Sequence, residues 1–332
     1  MKFDVVIGNP PYQEIKGGGS VVEFSIPIYN KFIELGIQLG AEYMAFIIPS
    51  RWLSGIQRLD KFRSKMLESG HIKKMVCYRN SAEVFKEVDI SGGVQYFLYD
   101  TNYNDDKTEM INVYKGDTSR IKRSLLDYTY TDTGGNVQYM SVIDNKSCSI
   151  IDKVLSTKSD NISKWILSGG PFGLGTEFKG EEFSKENNIK VVCSNGRVAY
   201  TSITNIKNSN ILGKYKVIAA SLNPDRGGYS RGIKHSVLGS MSILNPMEIC
   251  TQTYIVAGSF DSEDMAVNYQ EYLQTKFARY LILQTITNIH LVSKNFIFVP
   301  ELDFSKQWTD KVLYEKYSLT TDEIREIDKV IR

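Results

Sequence analysis

The chain has 332 residues, room for about two domains, and 42% of them are hydrophobic, enough for a sizeable core. A formal net charge of +2 neither demands nor excludes a nucleic-acid partner, so any basic surface has to be local. Cys77, Cys148, Cys193 and Cys250 lie far apart without metal-ligand spacing, which reads as reduced thiols of a cytoplasmic protein that needs no metal; no apolar run reaches membrane-spanning length and the N-terminus is no signal peptide.

The first predicted element is a short strand. Phe3, Val5, Val6 and Ile7 make an apolar run suited to a parallel sheet covered on both faces. Gly8 and Asn9-Pro10-Pro11-Tyr12 follow; the two prolines stop the strand, fix the backbone and restrict Asn9 before them. An amide and an aromatic ring are thereby held at the carboxyl end of a strand, where open α/β sheets bind ligands. This pairing suits an exocyclic amine on a nucleobase, whose lone pair is delocalised into the ring. An Asn side-chain oxygen and a rigid backbone carbonyl can each accept one N–H, which biases the nitrogen toward tetrahedral geometry and frees the lone pair. The Tyr offers a flat face on which the base can stack.

These residues resemble the S-adenosylmethionine-dependent amino-methyltransferases, most closely the gamma-class N6-adenine DNA methyltransferases of restriction-modification systems. The same four residues also occur in some protein-glutamine and ribosomal RNA methyltransferases. The resemblance implies that Asn9 and the Pro10 carbonyl hold the target amino group, that Tyr12 stacks on the flipped base, and that Pro11 borders both base and cofactor.

Further along, Gly17-Gly18-Gly19-Ser20 reads as a flexible loop beside the site and lacks the lysine of a P-loop. Ile28, Phe32, Leu35 and Leu39 recur at helical spacing and predict a core-facing helix. Within it Tyr29-x-x-Phe32 resembles the family segment whose Phe packs against the cofactor's adenine, so Phe32 is read as a cofactor contact or as plain core. Residues 43–49 predict a second strand, parallel to the first, with Arg51 and Trp52 at its carboxyl end. Leu59, Phe62, Met66 and Leu67 mark one face of a helix; residues 72–77 and 92–99 predict two strands, antiparallel across the loop that holds Glu83-Val84-Phe85. In the family resembled, that segment places an aromatic on the base opposite the Tyr, so Phe85 would complete a sandwich with Tyr12; the alternative is a buried Phe opening a hairpin.

Residues 107–159 read as a connecting segment of small strands, with a helix over 145–155. A second domain is expected from 160. Gly169-Gly170-Pro171-Phe172-Gly173-Leu174-Gly175-Thr176 has the look of a nucleotide loop, but no apolar strand leads into it and no helix with an acidic follower comes next. Strands are expected at 190–193, 198–200, 216–220 and 249–257. Arg226, Tyr229, Arg231, Lys234 and His235, on the loop after 220, suit contacts to DNA phosphates and base edges, as does Lys294; a solvated loop is the alternative. Residues 262–283 predict one long helix turning Tyr272, Lys276, Arg279 and Tyr280 toward a nucleic-acid backbone. Thr320 with Glu323 forms a capping-box signature for the last helix. Pro171-Phe172-Gly173-Leu174, Cys250-Thr251-Gln252-Thr253-Tyr254 and Trp308-Thr309-Asp310 resemble the C-terminal recognition region of large restriction-modification enzymes, which points the substrate toward DNA.

The expected fold class is α/β: a partial Rossmann-like methyltransferase sheet lacking its cofactor-binding half over 1–106, then an α+β target-recognition domain over 160–332. In the gamma class the Gly-rich cofactor turn and the acidic ribose ligand precede the Asn-Pro-Pro-Tyr motif, and only eight residues precede Asn9. A preceding polypeptide, in the same gene or a separate subunit, is therefore expected to supply that half-sheet, with the first strand left at an exposed edge. The expected function is a site-specific transfer of methyl from S-adenosylmethionine to adenine N6 in double-stranded DNA. A non-catalytic DNA-binding specificity subunit and a protein-glutamine methyltransferase are alternatives, and cytosine N4 stays open as the target atom.

Overall fold

The computed structural model describes all residues except 1–2, 17–23, 55–58, 88–89, 91, 115–116, 132–136, 140–143, 226–232 and 287. The chain divides into two units, Met1–Lys146 and Ser147–Arg332. In the first run β1 (Val5–Gly8), β2 (Gln13–Lys16), β3 (Phe24–Pro27), α1 (Tyr29–Gln38), β4 (Tyr43–Pro49), α2 (Asp60–Glu68), β5 (Ile72–Tyr78), β6 (Val94–Asp100), β7 (Lys107–Tyr114), β8 (Asp117–Ser124), β9 (Thr129–Thr131) and β10 (Val137–Tyr139). Six of them form one mixed sheet in the order β1-β4-β6-β5-β7-β8. β1 lies parallel to β4, β6 inserts antiparallel between β4 and β5, and β7 lies parallel to β5.

The register sorts side chains cleanly between the two faces. One row across the sheet reads Gly8, Phe46, Phe97, Met75, Met110, Ile121. This apolar face forms the core, with Tyr29 and Ile33 of α1 and Phe62 and Met66 of α2 packed into one cluster with it. Gly36 allows α1 to come close: a Cβ there would lie 2.6 Å from Met44 Sδ. Trp52 is fully buried and meets Phe62 edge-on at 5.5 Å, so it is a packing residue. Behind it Arg63, also fully buried, donates from Nε to the Trp52 carbonyl at 2.6 Å and from Nη1 to Asp60 at 2.7 Å.

Three expectations change here. The inward stripe of α1 is Tyr29, Ile33 and Gly36, whereas Phe32, Leu35 and Leu39 are exposed, so the helix is turned by one position from the expected phase. β1 lies at the sheet edge as expected, but it is not covered on both faces as its apolar run suggested: Val5 is 58% and Ile7 74% exposed. Residues 107–124, expected within a connecting segment, form two eight-residue strands that extend the first sheet. The loop at 17–20 lies outside the described residues.

The second unit holds α3 (Cys148–Ser156), β11 (Ile189–Val192), β12 (Val198–Thr201), β13 (Tyr215–Ala220), β14 (Met241–Leu244), β15 (Glu248–Cys250), β16 (Tyr254–Phe260), α4 (Glu263–Gln274), α5 (Lys276–Leu283), α6 (Asp310–Lys316) and α7 (Thr321–Val330). Two three-stranded sheets, β12-β11-β15 and β14-β13-β16, share one apolar core, and α4 packs against the second of them. Trp165, Phe260, Tyr269 and Phe304 interlock at centroid distances of 4.8–6.1 Å, and the Tyr269 hydroxyl donates to the Ala257 carbonyl at 2.7 Å. The long helix expected over 262–283 breaks at Thr275, whose backbone turns extended (φ −59, ψ 149) and whose hydroxyl caps α5 by accepting from Ala278 N. The capping box at Thr320 and Glu323 is present, with both bonds formed.

Candidate active site

Because β1, β4, β5 and β7 all point the same way, their carboxyl ends meet one edge of the sheet. Asn9-Pro10-Pro11-Tyr12 follows β1 there, Ser50 to Trp52 follow β4, and the loop carrying Phe85 follows β5. The sheet thus brings the two predicted base-stacking residues to one edge, on strands three ladder intervals apart, about 14 Å.

The corner after β1 is built from contrasts in burial. Pro10 is buried, while Asn9 and Pro11 are exposed and Tyr12 is half-buried. The Tyr12 carbonyl accepts from Ile28 N at 3.2 Å, which ties the corner to the start of α1. Its hydroxyl is buried without a hydrogen-bond partner among the described residues, and burial raises its pKa. The ring is therefore anchored by its tip, with part of its body left open. Phe32, on the first turn of α1, is 40% exposed.

The Phe85 loop is shaped by backbone demands. Asn80 accepts from Ala82 N at 3.0 Å, Phe85 N donates to the Ser81 carbonyl at 2.8 Å, and the buried Ser81 hydroxyl accepts from Ile90 N at 2.9 Å. Gly93 closes the loop at φ +79, and a Cβ there would collide with the Tyr78 carbonyl and lie 2.7 Å from that of Arg79. Gly92 lets the Arg51 stem pass, since a Cβ would sit 3.0 Å from its Cγ. Phe85 itself is half-buried. Sequence reasoning missed Arg63, Gly92 and Gly93 as the residues that brace this edge; the signal present was Gly-Gly immediately before an apolar run.

In the second unit Arg226, Tyr229 and Arg231 lie outside the described residues. Lys234 is exposed, its carbonyl accepting from Arg332 Nε at 2.9 Å, and Lys294 is half-buried. His235 is only 2% exposed, with Nδ1 3.7 Å from Asp225, so its ring is not at the surface where a phosphate could meet it. Tyr272 and Tyr280 are buried too, and Tyr272 donates to the Pro300 carbonyl at 2.9 Å; they are core residues, not a nucleic-acid face. Lys276 pairs with Asp328 and Arg279 donates to the Arg332 carbonyl, so both cations are held within the unit.

A mixed α/β unit with a polar, proline-stiffened corner on its carboxyl edge has known counterparts. Residues 1–85 match the model of the Eco57I restriction-modification methylase family. An uncharacterised adenine-specific methylase of Mycoplasma pneumoniae is 33% identical over 171 residues, covering 49% of this chain and 38% of that protein. The type II restriction enzyme and methyltransferase RM.Eco57I of Escherichia coli is 25% identical over 181 residues, covering 50% of this chain and 18% of its own length. The chain is thus similar, over about half its length, to restriction-modification adenine methyltransferases, and it spans well under half the length of these two. The solved structure of the type IIL restriction-modification enzyme MmeI with DNA overlaps 77% of the chain and 38% of MmeI at 9% identity, with a TM-score of 0.39, too loose a likeness to bear on function.

Proposed function

We propose that the chain forms the catalytic corner and the target-recognition part of an enzyme that methylates adenine N6 in double-stranded DNA. The observation that carries this reading is the corner itself. Asn9 is exposed and its amide makes no hydrogen bond within the described residues, while β1 before it and buried Pro10 and tethered Tyr12 after it hold the backbone. Such an amide is free to accept from an incoming amine. With the Pro10 carbonyl as second acceptor, both N–H groups of the amine are held and its lone pair is released toward the methyl donor. Tyr12 and Phe85, on the same edge, would stack on the two faces of a base flipped from the duplex, each worth roughly 1–3 kcal/mol.

The exposed Phe32 ring and the exposed Pro11 fit the flat adenine of S-adenosylmethionine. When bound, that cofactor supplies a methyl group already activated on a sulfonium, so what the chain's residues contribute is orientation. The acidic ligand for its ribose would come from a preceding polypeptide, in the same gene or a separate subunit, which we place against the open edge of β1. The first unit, whose sheet runs on to residue 124, is then the half of a Rossmann-like sheet that carries the motif, and 160–332 the region that reads the target. Lys234 and Lys294 remain candidate phosphate contacts together with Arg226, Tyr229 and Arg231; His235 leaves that set because it is buried.

The test combines this chain with the polypeptide encoded immediately upstream, duplex DNA and S-adenosylmethionine labelled in its methyl group. Label should enter DNA, and Asn9→Ala should lower the rate by at least about 100-fold, as expected for loss of a group aimed at the reacting atom. Undiminished labelling by Asn9→Ala would end the proposal. DNA binding that falls with salt but gives no labelled DNA would leave a recognition subunit in its place.

A further inference from the structure

One row of the first sheet departs from the rest of its core face. Two residues beyond the row of Phe46 and Phe97, toward the carboxyl edge, the register aligns Ile48, Gln95, Cys77, Asn112 and Ser119. Strand alternation returns these side chains to the same face, so the apolar core ends here in a polar rim. Most of that rim is satisfied. Asn112 donates to Asn145 Oδ1 at 3.0 Å, and Asn145 donates in turn to the carbonyls of Met110 and Ser119, each at 3.1 Å.

Gln95 breaks the pattern: it is fully buried, and its Nε2 finds no acceptor among the described residues. The other end of the amide is taken, with Cys77 Sγ 3.7 Å from Oε1. Burial pushes the Cys77 thiol up to about 12, so it keeps its proton and donates, which fixes the end of the amide that faces it. The end left over is a donor. A fold gains nothing from a buried donor with nothing to meet, and a leucine would fill the same place without that cost.

The orphaned donor stands beside the corner. β1 leaves the sheet at Gly8, opposite Phe46, so Asn9 and Pro10 follow next to the rim row. β6 is two ladder intervals from β1, about 10 Å. Ser50 N donates to the Gly93 carbonyl at 3.0 Å, which carries the β4–β6 pairing one step further and makes Ser50 and Gln95 diagonal neighbours. Tyr12 Oη, Asn30 Oδ1, Ser50 Oγ and Trp52 Nε1 are likewise buried without a partner among the described residues. They belong to the segments that follow β1 and β4, or to the first turn of α1, which Ile28 ties to the corner. Ordered water could satisfy such atoms one by one; a flat polar ligand satisfies several at once.

We propose that Gln95 reads the extruded base, its Nε2 donating to adenine N1, the ring nitrogen next to the reacting amine. This deepens the reading above and rests on it for the base itself. Two hydrogen bonds of about 3 Å with the N6–N1 edge between them span about 8 Å, within reach of side chains on strands about 10 Å apart. The resulting pattern is selective. Asn9 Oδ1 and the Pro10 carbonyl accept, and Gln95 donates. Adenine and cytosine offer an amine beside a bare ring nitrogen, which fits. Guanine and thymine offer a carbonyl beside an N–H, which sets acceptor against acceptor and donor against donor.

The experiment titrates nucleosides into the full chain labelled with nitrogen-15 in its side-chain amides; Gln95→Leu identifies the Gln95 signal by its loss. Adenosine and 7-deazaadenosine should shift that signal, and 1-deazaadenosine and inosine should not. A signal that moves equally with adenosine and 1-deazaadenosine, or with none of the four, overturns the proposal. In methyl transfer by the assembled enzyme, Gln95→Leu should lower kcat/KM at least about 30-fold, because N1 is left unpaired, while melting no earlier than the wild type. DNA carrying 1-deazaadenine at the methylated position should cost the wild type as much and Gln95→Leu nothing further. Wild-type transfer by Gln95→Leu sinks this assignment alone, whereas undiminished transfer by Asn9→Ala sinks the reading beneath it.

Discussion

The two units handle apolar surface in opposite ways. In the second, Trp165, Phe260, Tyr269, Tyr272 and Phe304 close over one another, and the starts of α4 and α5 are capped by the chain's own side chains. In the first, one face of the sheet is as well packed as that core, while β1 ends the sheet with its apolar side chains in solvent. One unit is finished by its own sequence. The other leaves its edge strand open, and the open part is the part beside Asn9.

The comparison breaks most sharply if the Phe85 loop is disrupted. Gly93→Ala puts a Cβ against two carbonyls at φ +79, and should destabilise the first unit by about 3 kcal/mol while the second melts as before; calorimetry of the full chain reads both transitions. The mirror experiment is in the second unit. Fully buried Lys216 donates to the carbonyls of Leu212, Lys214 and Asn245 at 3.1, 2.6 and 3.0 Å. Lys216→Met leaves those acceptors unpaired and should cost about 2–3 kcal/mol there, with the first unit unchanged.

Lys216 also gives a pH signature. Burial pushes its ammonium down from 10.5 to about 8. Between those values the unfolded chain keeps a proton that the folded unit has released, so the second unit should gain stability as pH rises from 8 to 10.5. Its contribution should be lost as pH falls through 8, and Lys216→Met should flatten the slope in denaturant titrations across that window.

Smaller effects sharpen the same contrast. Phe85→Ala in the assembled enzyme should raise KM for DNA about tenfold, the loss of one stacking face, with little change in melting. Thr275→Ala removes the cap at the α4–α5 break and should cost about 1 kcal/mol in the second unit with no effect on methyl transfer.

Much of this was legible in the sequence where the signal was local. The Asn-Pro-Pro-Tyr motif, the strands expected at 43–49 and 92–99 and the capping box at Thr320 each rest on neighbours in the chain. What escaped depends on partners far away. The phase of α1 was misjudged because Ile28, Phe32, Leu35 and Leu39 are larger than Tyr29, Ile33 and Gly36 taken together as a stripe; only the approach of Met44 shows why a glycine must face inward. The break at Thr275 hides inside an unbroken apolar pattern, because a threonine that caps a second helix looks like one more helical residue until its ψ is known. Tyr272, Tyr280 and His235 have the chemistry of nucleic-acid contacts, and burial, which composition cannot show, removes them from that role.

The central claim is that Asn9 and the Pro10 carbonyl grip the amino group of an adenine lifted from DNA. Digesting DNA treated with the assembled enzyme to nucleosides and weighing the products tests it directly. The account predicts N6-methyldeoxyadenosine from the wild type and none from Asn9→Ala. Methyl found only on cytosine or on protein glutamine, or N6-methyldeoxyadenosine formed equally by Asn9→Ala, would contradict it.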